Sequence, residues 1–184
     1  MSAARHTLPA SVRGIAPLST SQKGAAAEAE IAAAAIRLGL TVLRPITEGR
    51  RYDLALDIGE EIIRVQCKWA PLRGGAIGTR CDTSRHTPRG YRRTTYTQRE
   101  IDAVAAYSAD TDRCYLIPIG EVEGRWELRL RLEPARNGQI RGVRWASDYE
   151  FERSLDRNWR TPRELRTASD RGPAGGRMDD IVGL

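Results

Sequence analysis

Asp53, Gln66 and Lys68, on two neighbouring segments, carry the clearest chemical signal in the sequence. Residues 52–58 and 61–69 both alternate apolar with polar side chains, and Gly59-Glu60 between them is a hairpin signal with Gly at the first central turn position. That turn sets Leu54 against Val65, Leu56 against Ile63 and Ile58 against Glu61 on one face. On the other face it sets Asp53 against Gln66, Ala55 against Arg64 and Asp57 against Ile62. Matching apolar to apolar is what fixes a register. Directly opposed residues have Cβ atoms about 4.5–5.5 Å apart, and Lys68, two residues beyond Gln66, shares their face. A carboxylate, an amide oxygen and an ammonium therefore converge. Such a patch suits phosphodiester hydrolysis: a hard cation takes oxygen ligands, and a compact ammonium balances charge developing on a phosphoryl group. Of the 30 basic residues, Lys23 and Lys68 are the lysines and the rest are arginines, so a point charge at 68 stands out against the planar forks elsewhere. The same spacing also describes the polar face of a half-solvated hairpin.

The elements around this hairpin read as an α/β domain. Thr20 or Ser21 caps a helix whose run of strong helix formers, residues 25–38, ends at Gly39. Residues 41–46 form a short strand. Residues 71–95 are rich in Gly and poor in periodicity, and are expected to be loop. Thr97 is expected to cap a second helix over residues 98–108, followed by strands at 114–119 and 126–132. Short helices are expected at 148–155 and 162–166. The order points to a mixed sheet flanked by helices.

Tyr52-Asp53 followed by Val65-Gln66-Cys67-Lys68 resembles the PD-(D/E)xK nuclease core. Its Gln variant resembles the branch containing certain intron-encoded homing endonucleases. The resemblance extends to Lys23-Gly24 with Glu28, to Thr95-Tyr96-Thr97 with Glu100, Asp102 and Tyr107, and to Cys114-Tyr115-Leu116-Ile117-Pro118. It implies a restriction-endonuclease-like αβββαβ core and Mg²⁺-dependent cleavage of DNA, with Mn²⁺ as a substitute. It further implies that Glu28, Asp53, Gln66 and the Cys67 backbone carbonyl surround the metal and that Lys68 is catalytic. Glu30, the competing helix acid, points to another face. The chain departs from the commonest pattern at Tyr52, which stands in place of Pro. It departs again at Gln66, which removes a negative charge and weakens cation affinity.

Length and composition agree with one domain plus tails: 184 residues, 40% hydrophobic and 29% charged. No apolar run reaches membrane-spanning or signal-peptide length. Cys67, Cys81 and Cys114 lack any CxxC pairing, as expected for free thiols in the cytoplasm. The net charge of +6 suits a polyanionic partner. Arg73, Arg80, Arg85, Arg89, Arg92 and Arg93, with Asp82 as their one acid and His86 and Tyr91 interleaved, are expected to contact DNA phosphates. Trp126, Trp145 and Trp159 are read as core or interface packing.

The expected organisation is a disordered leader over 1–18, a nuclease core over 19–134 with its basic loop at 70–95, and an Arg-rich extension and tail over 135–184. Cutting two strands with one active site per chain implies a homodimer or homotetramer. Three functions compete: a site- or structure-recognising endonuclease, a Holliday-junction resolvase, and a catalytically silent DNA-binding protein.

Overall fold

The computed structural model describes residues 16–47, 49–88, 90–134, 138 and 141–159. Most of the expected leader and the expected helix at 162–166 lie outside them. In chain order the elements are α1 (Thr20–Arg37), β1 (Thr41–Leu43), β2 (Leu54–Asp57), β3 (Ile62–Trp69), β4 (Leu72–Arg73), β5 (Ala76–Arg80), β6 (Asp82–Thr87) and β7 (Gly90–Thr95). They continue with β8 (Ala103–Ser108), β9 (Arg113–Pro118), α2 (Ile119–Val122), β10 (Glu127–Arg131), a 3-10 turn (Ala146–Tyr149) and α3 (Phe151–Asn158).

Helix α1 is capped by Ser19, one residue earlier than expected. The Ser19 hydroxyl accepts from the Gln22 N–H at 3.3 Å, and the Gln22 side chain accepts from the Ser19 N–H at 2.9 Å. This capping box satisfies two otherwise orphaned donors. The helix stops at Gly39, whose φ of 79° a side chain would oppose. Its buried stripe of Ala27, Ile31 and Ala35, four residues apart, lies on the sheet.

A five-stranded mixed sheet has the order β1-β2-β3-β8-β9. The hairpin register is the expected one: Leu54 pairs with Val65, Ala55 with Arg64, Leu56 with Ile63 and Asp57 with Ile62. Gly59 makes the turn with φ 104°. Strand β8 runs parallel to β3 and antiparallel to β9. Helices α1 and α3 cover one face, through Phe151, Leu155 and Trp159 of the latter segment. A smaller sheet, β10-β5-β4, covers the other through Ile77, Leu128 and Leu130.

Two local expectations are corrected. Residues 98–108 are not a helix: 98–100 form a turn, and 103–108 are the strand between β3 and β9. Ala103, Val104, Ala105 and Ala106 are all buried because both sheet faces are covered. A strand buried on both sides loses the alternation that separates it from a helix. Residues 71–95 are not a loop either. They form β4 and β5, then an antiparallel ribbon of β6 and β7, so the crossover from β3 to β8 is made of strands. Their outward positions are polar, and Gly74-Gly75 makes the β4–β5 turn with φ of 56° and 71°.

Candidate active site

Asp53 sits one residue before β2. Its N–H donates to the Val65 carbonyl at 3.0 Å, carrying the ladder one step past the strand. Its Oδ2 then accepts from the Cys67 N–H at 2.8 Å and from the Gln66 side-chain amide. The carboxylate thus takes the place of a strand partner opposite 66–67. A strand residue presents its N–H and C=O to the same edge, so the Cys67 carbonyl faces this side too. With its amide nitrogen donating to Asp53, the Gln66 side chain keeps its oxygen for another partner.

Glu28 approaches from α1, next to the buried Ala27, with Arg44 3.9 Å from its carboxylate. Burial raises the Glu28 pKa, the Asp53 charge raises it further, and Arg44 opposes both. Burial also raises Asp53, against the Cys67 N–H, the Lys68 charge, the Gln66 amide and Arg44. Two carboxyl groups each pushed toward the neutral form mark a place where positive charge is favoured.

The Lys68 ammonium lies over the Tyr96 ring at 5.2 Å and donates to the Asp82 backbone carbonyl at 3.1 Å. Burial lowers its pKa while Asp53 and Asp82 oppose. Arg51 stacks on the same ring at 5.0 Å and reaches Thr94 Oγ1, the Thr95 carbonyl and Glu100 at 3.2, 3.0 and 3.2 Å. The Tyr96 hydroxyl donates to the Asp82 carbonyl at 3.3 Å. The buried Asp82 carboxylate holds Arg80 at 2.8 Å and Arg93 at 2.7 Å. Arg64, across from Ala55, is turned away into a bidentate pair with Asp102, both bonds 2.9 Å, and so clamps the turn before β8 onto β3.

Asp53 and Gln66 are therefore in contact, and Glu28 from α1 and Lys68 from β3 lie close enough for the Asp53 charge to act on both. Residues 18–152 match the family model described as PD-(D/E)XK endonuclease. The chain belongs to that family. A solved structure of a bacterial homing endonuclease, I-Ssp6803I, shares the fold with a TM-score of 0.62 at 22% identity. The match covers 84% of this chain and 98% of that one. None of the curated proteins compared matches the chain.

In this PD-(D/E)XK endonuclease the side chain that meets Asp53 across the hairpin is the uncharged Gln66. Accordingly, among the described residues no three His, Cys, Asp or Glu side chains gather where a metal could bind; the third side-chain oxygen is an amide. No helix among them is long and apolar enough to cross a membrane. The basic segment is a β-ribbon rather than a flexible loop. Arg92 is exposed opposite Arg85, and Arg73 is exposed on the turn side of β4. Arg80 and Arg93 are engaged by Asp82; Arg89 and the side chain of Arg85 lie outside the described residues. Of the tryptophans, Trp159 is buried and Trp145 half-buried, but Trp126 is 52% exposed with the Arg93 guanidinium 5.2 Å over its ring. Trp126 is thus at the surface and not in the core. Arg44, Arg51, Asp82 and Tyr96 have no role legible in the sequence pattern. One signal was available: Asp82 is the single acid among six arginines.

Proposed function

We propose that this endonuclease cuts DNA in a divalent-metal-dependent reaction, with Mg²⁺ as its ion and Mn²⁺ as a substitute, at a recognised sequence or structure. The observation that supports the reading is the Gln66–Asp53 contact at the open end of the β2–β3 hairpin, with Glu28 and Lys68 close enough to feel the Asp53 charge. The donor set fits a hard cation. Both carboxylates are under pressure to lose their charge, and the Gln66 oxygen and the Cys67 carbonyl complete an all-oxygen set. Glu28, Asp53, Gln66 and Cys67 would hold the ion. Bound there, it supplies positive charge to the phosphoryl oxygens and acidity to water.

The protein's own groups have separable tasks. Gln66 and the Cys67 N–H fix the Asp53 rotamer. Lys68, braced by Tyr96 and the Asp82 carbonyl, offers a point charge where negative charge grows. The β6–β7 ribbon offers arginines to the DNA backbone, which position the duplex without reading its bases. A two-stranded ribbon also matches the width of the major groove. Cutting both strands with one site per chain calls for a homodimer or homotetramer.

Incubating the protein with plain duplex, four-way junctions and single strands, each with and without Mg²⁺, tests the reading. Metal-dependent cutting of duplex is expected. Preference for junctions would assign it as a resolvase, and binding without cutting would make it a silent DNA-binding protein.

A further inference from the structure

The Asp82 carboxylate has 0% side-chain exposure, yet both arginines on it are open to solvent, Arg80 at 61% and Arg93 at 51%. Arg80 binds as a fork, with Nε 3.0 Å from Oδ1 and Nη2 2.8 Å from Oδ2. Arg93 adds its Nε to Oδ2 at 2.7 Å and lays its guanidinium over Trp126. Arg80 comes from β5 and Arg93 from β7, so the anion between them is what brings two like charges together. Within this trio one buried negative charge lies beneath two exposed positive ones, so one positive charge is left over, with the exposed Glu127 across the ladder from Arg80. Burial alone would raise the Asp82 pKa, but the Arg80 and Arg93 hydrogen bonds prevail and hold it well below the usual carboxylate range. The backbone carbonyl of the same residue accepts from Lys68 at 3.1 Å and from Tyr96 at 3.3 Å.

We propose that Asp82 is a positioning residue: its side chain sets Arg80 and Arg93 as a paired clamp for a phosphate of the DNA backbone, and its carbonyl fixes Lys68 at a set place from that clamp. A planar guanidinium fixed in advance loses less freedom on meeting a phosphate than a free one. The chemistry recognised is a phosphodiester anion, beside the scissile group and separate from the carboxylate edge. Registering the duplex and placing the catalytic charge then become one structural event, because one residue does both. This inference rests on the proposed DNA substrate.

The test uses full-length protein and a duplex it cuts. Binding is measured without divalent metal across a salt titration, and single-turnover cleavage is measured with Mg²⁺. Asp82→Asn keeps the shape and raises the protein's charge by one. Charge alone would make it bind DNA more tightly with an unchanged or steeper salt slope. The clamp requires the opposite: weaker binding, and a slope shallower by about 0.9 for each phosphate no longer neutralised. Cleavage at saturating protein should fall as well, by on the order of tenfold or more, because a duplex no longer registered by the clamp presents its scissile phosphate out of line with Lys68, whose backbone acceptor at residue 82 the substitution keeps. Arg80→Gln and Arg93→Gln leave the carboxylate one partner each, so they stay informative if Asp82→Asn fails to fold. Each should lower the slope by about 0.9, and their effects should not add to that of Asp82→Asn. Tighter binding by Asp82→Asn, unchanged slopes in the arginine variants, or additive effects would overturn the clamp. A parent that binds no DNA in any form overturns the nuclease reading itself.

Discussion

Gln66→Glu is the perturbation whose consequence follows most directly from the geometry. The Gln66 amide donates to Asp53 Oδ2, so the substitution replaces a donor with a second acceptor carrying charge. Two carboxylates about 4 Å apart repel by about 4 kcal/mol at an effective dielectric near 20. The pair can escape by binding a proton. Keeping a glutamic acid of ordinary pKa near 4.3 protonated at pH 7 costs about 4 kcal/mol, and at pH 5 about 1 kcal/mol. The partly open site screens some of this, so without metal the variant should be about 2–4 kcal/mol less stable than the parent at pH 7. The sign is fixed by linkage. The raised carboxyl pKa of the folded variant means that this pair's contribution is fully present below about pH 4 and is lost as pH rises through the folded value. For a chain of this size each kcal/mol moves Tm by about 2–4 °C. Thermal unfolding in EDTA at pH 5 and pH 7 reads the deficit directly. Adding Mg²⁺ should restore the variant more than it raises the parent, since a ligand that favours the folded state stabilises in proportion to its affinity. A variant equal to the parent in EDTA at both pH values would mean that residue 66 does not face Asp53. Equal Mg²⁺ responses would mean that it does not face the metal.

Lys68→Ala should lower single-turnover cleavage by on the order of 10²-fold or more while metal-free DNA affinity stays near the parent value; equal cleavage would remove the residue from the mechanism. Lys68→Arg should fail to restore cleavage, since a planar fork cannot take the place of a compact ammonium beside Tyr96. Arg92→Ala should make the salt slope of DNA binding shallower by about 0.9 whatever the duplex sequence; a sequence-dependent loss would instead point to base contact. Asp102→Asn should cost about 1–2 kcal/mol at pH 7, because Arg64 loses a bidentate partner. The Arg64 hydrogen bonds hold Asp102 below its ordinary pKa despite burial, so this contribution is present above about pH 4 and vanishes as pH falls through the folded value; chemical denaturation at pH 7 and pH 3 should show the difference shrinking.

What the sequence determined by itself is the part of the molecule with a local period. The turn at Gly59 and the alternation around it place Asp53 opposite Gln66 and put Lys68 on their face. The helix formers ahead of Gly39 place Glu28, although its cap proved to be Ser19. Segments that bury one face announce themselves, because burying that face forces a repeat of two or of about 3.6. Tertiary structure decided the rest. Residues 103–108 have no period because the α1 side and the small sheet bury both of their faces, and their partners β3 and β9 alone make them a strand. The β6–β7 ribbon pairs polar residue with polar residue, so nothing apolar signals its register. Asp82 shows the same limit in one residue. Its charge is visible in the sequence, but its burial beneath Arg80 and Arg93, and the use of its carbonyl by Lys68 from another strand, depend on a fold that brings four segments together. Such non-local contacts leave no repeat in the chain, since each is fixed by packing rather than by the residues beside it.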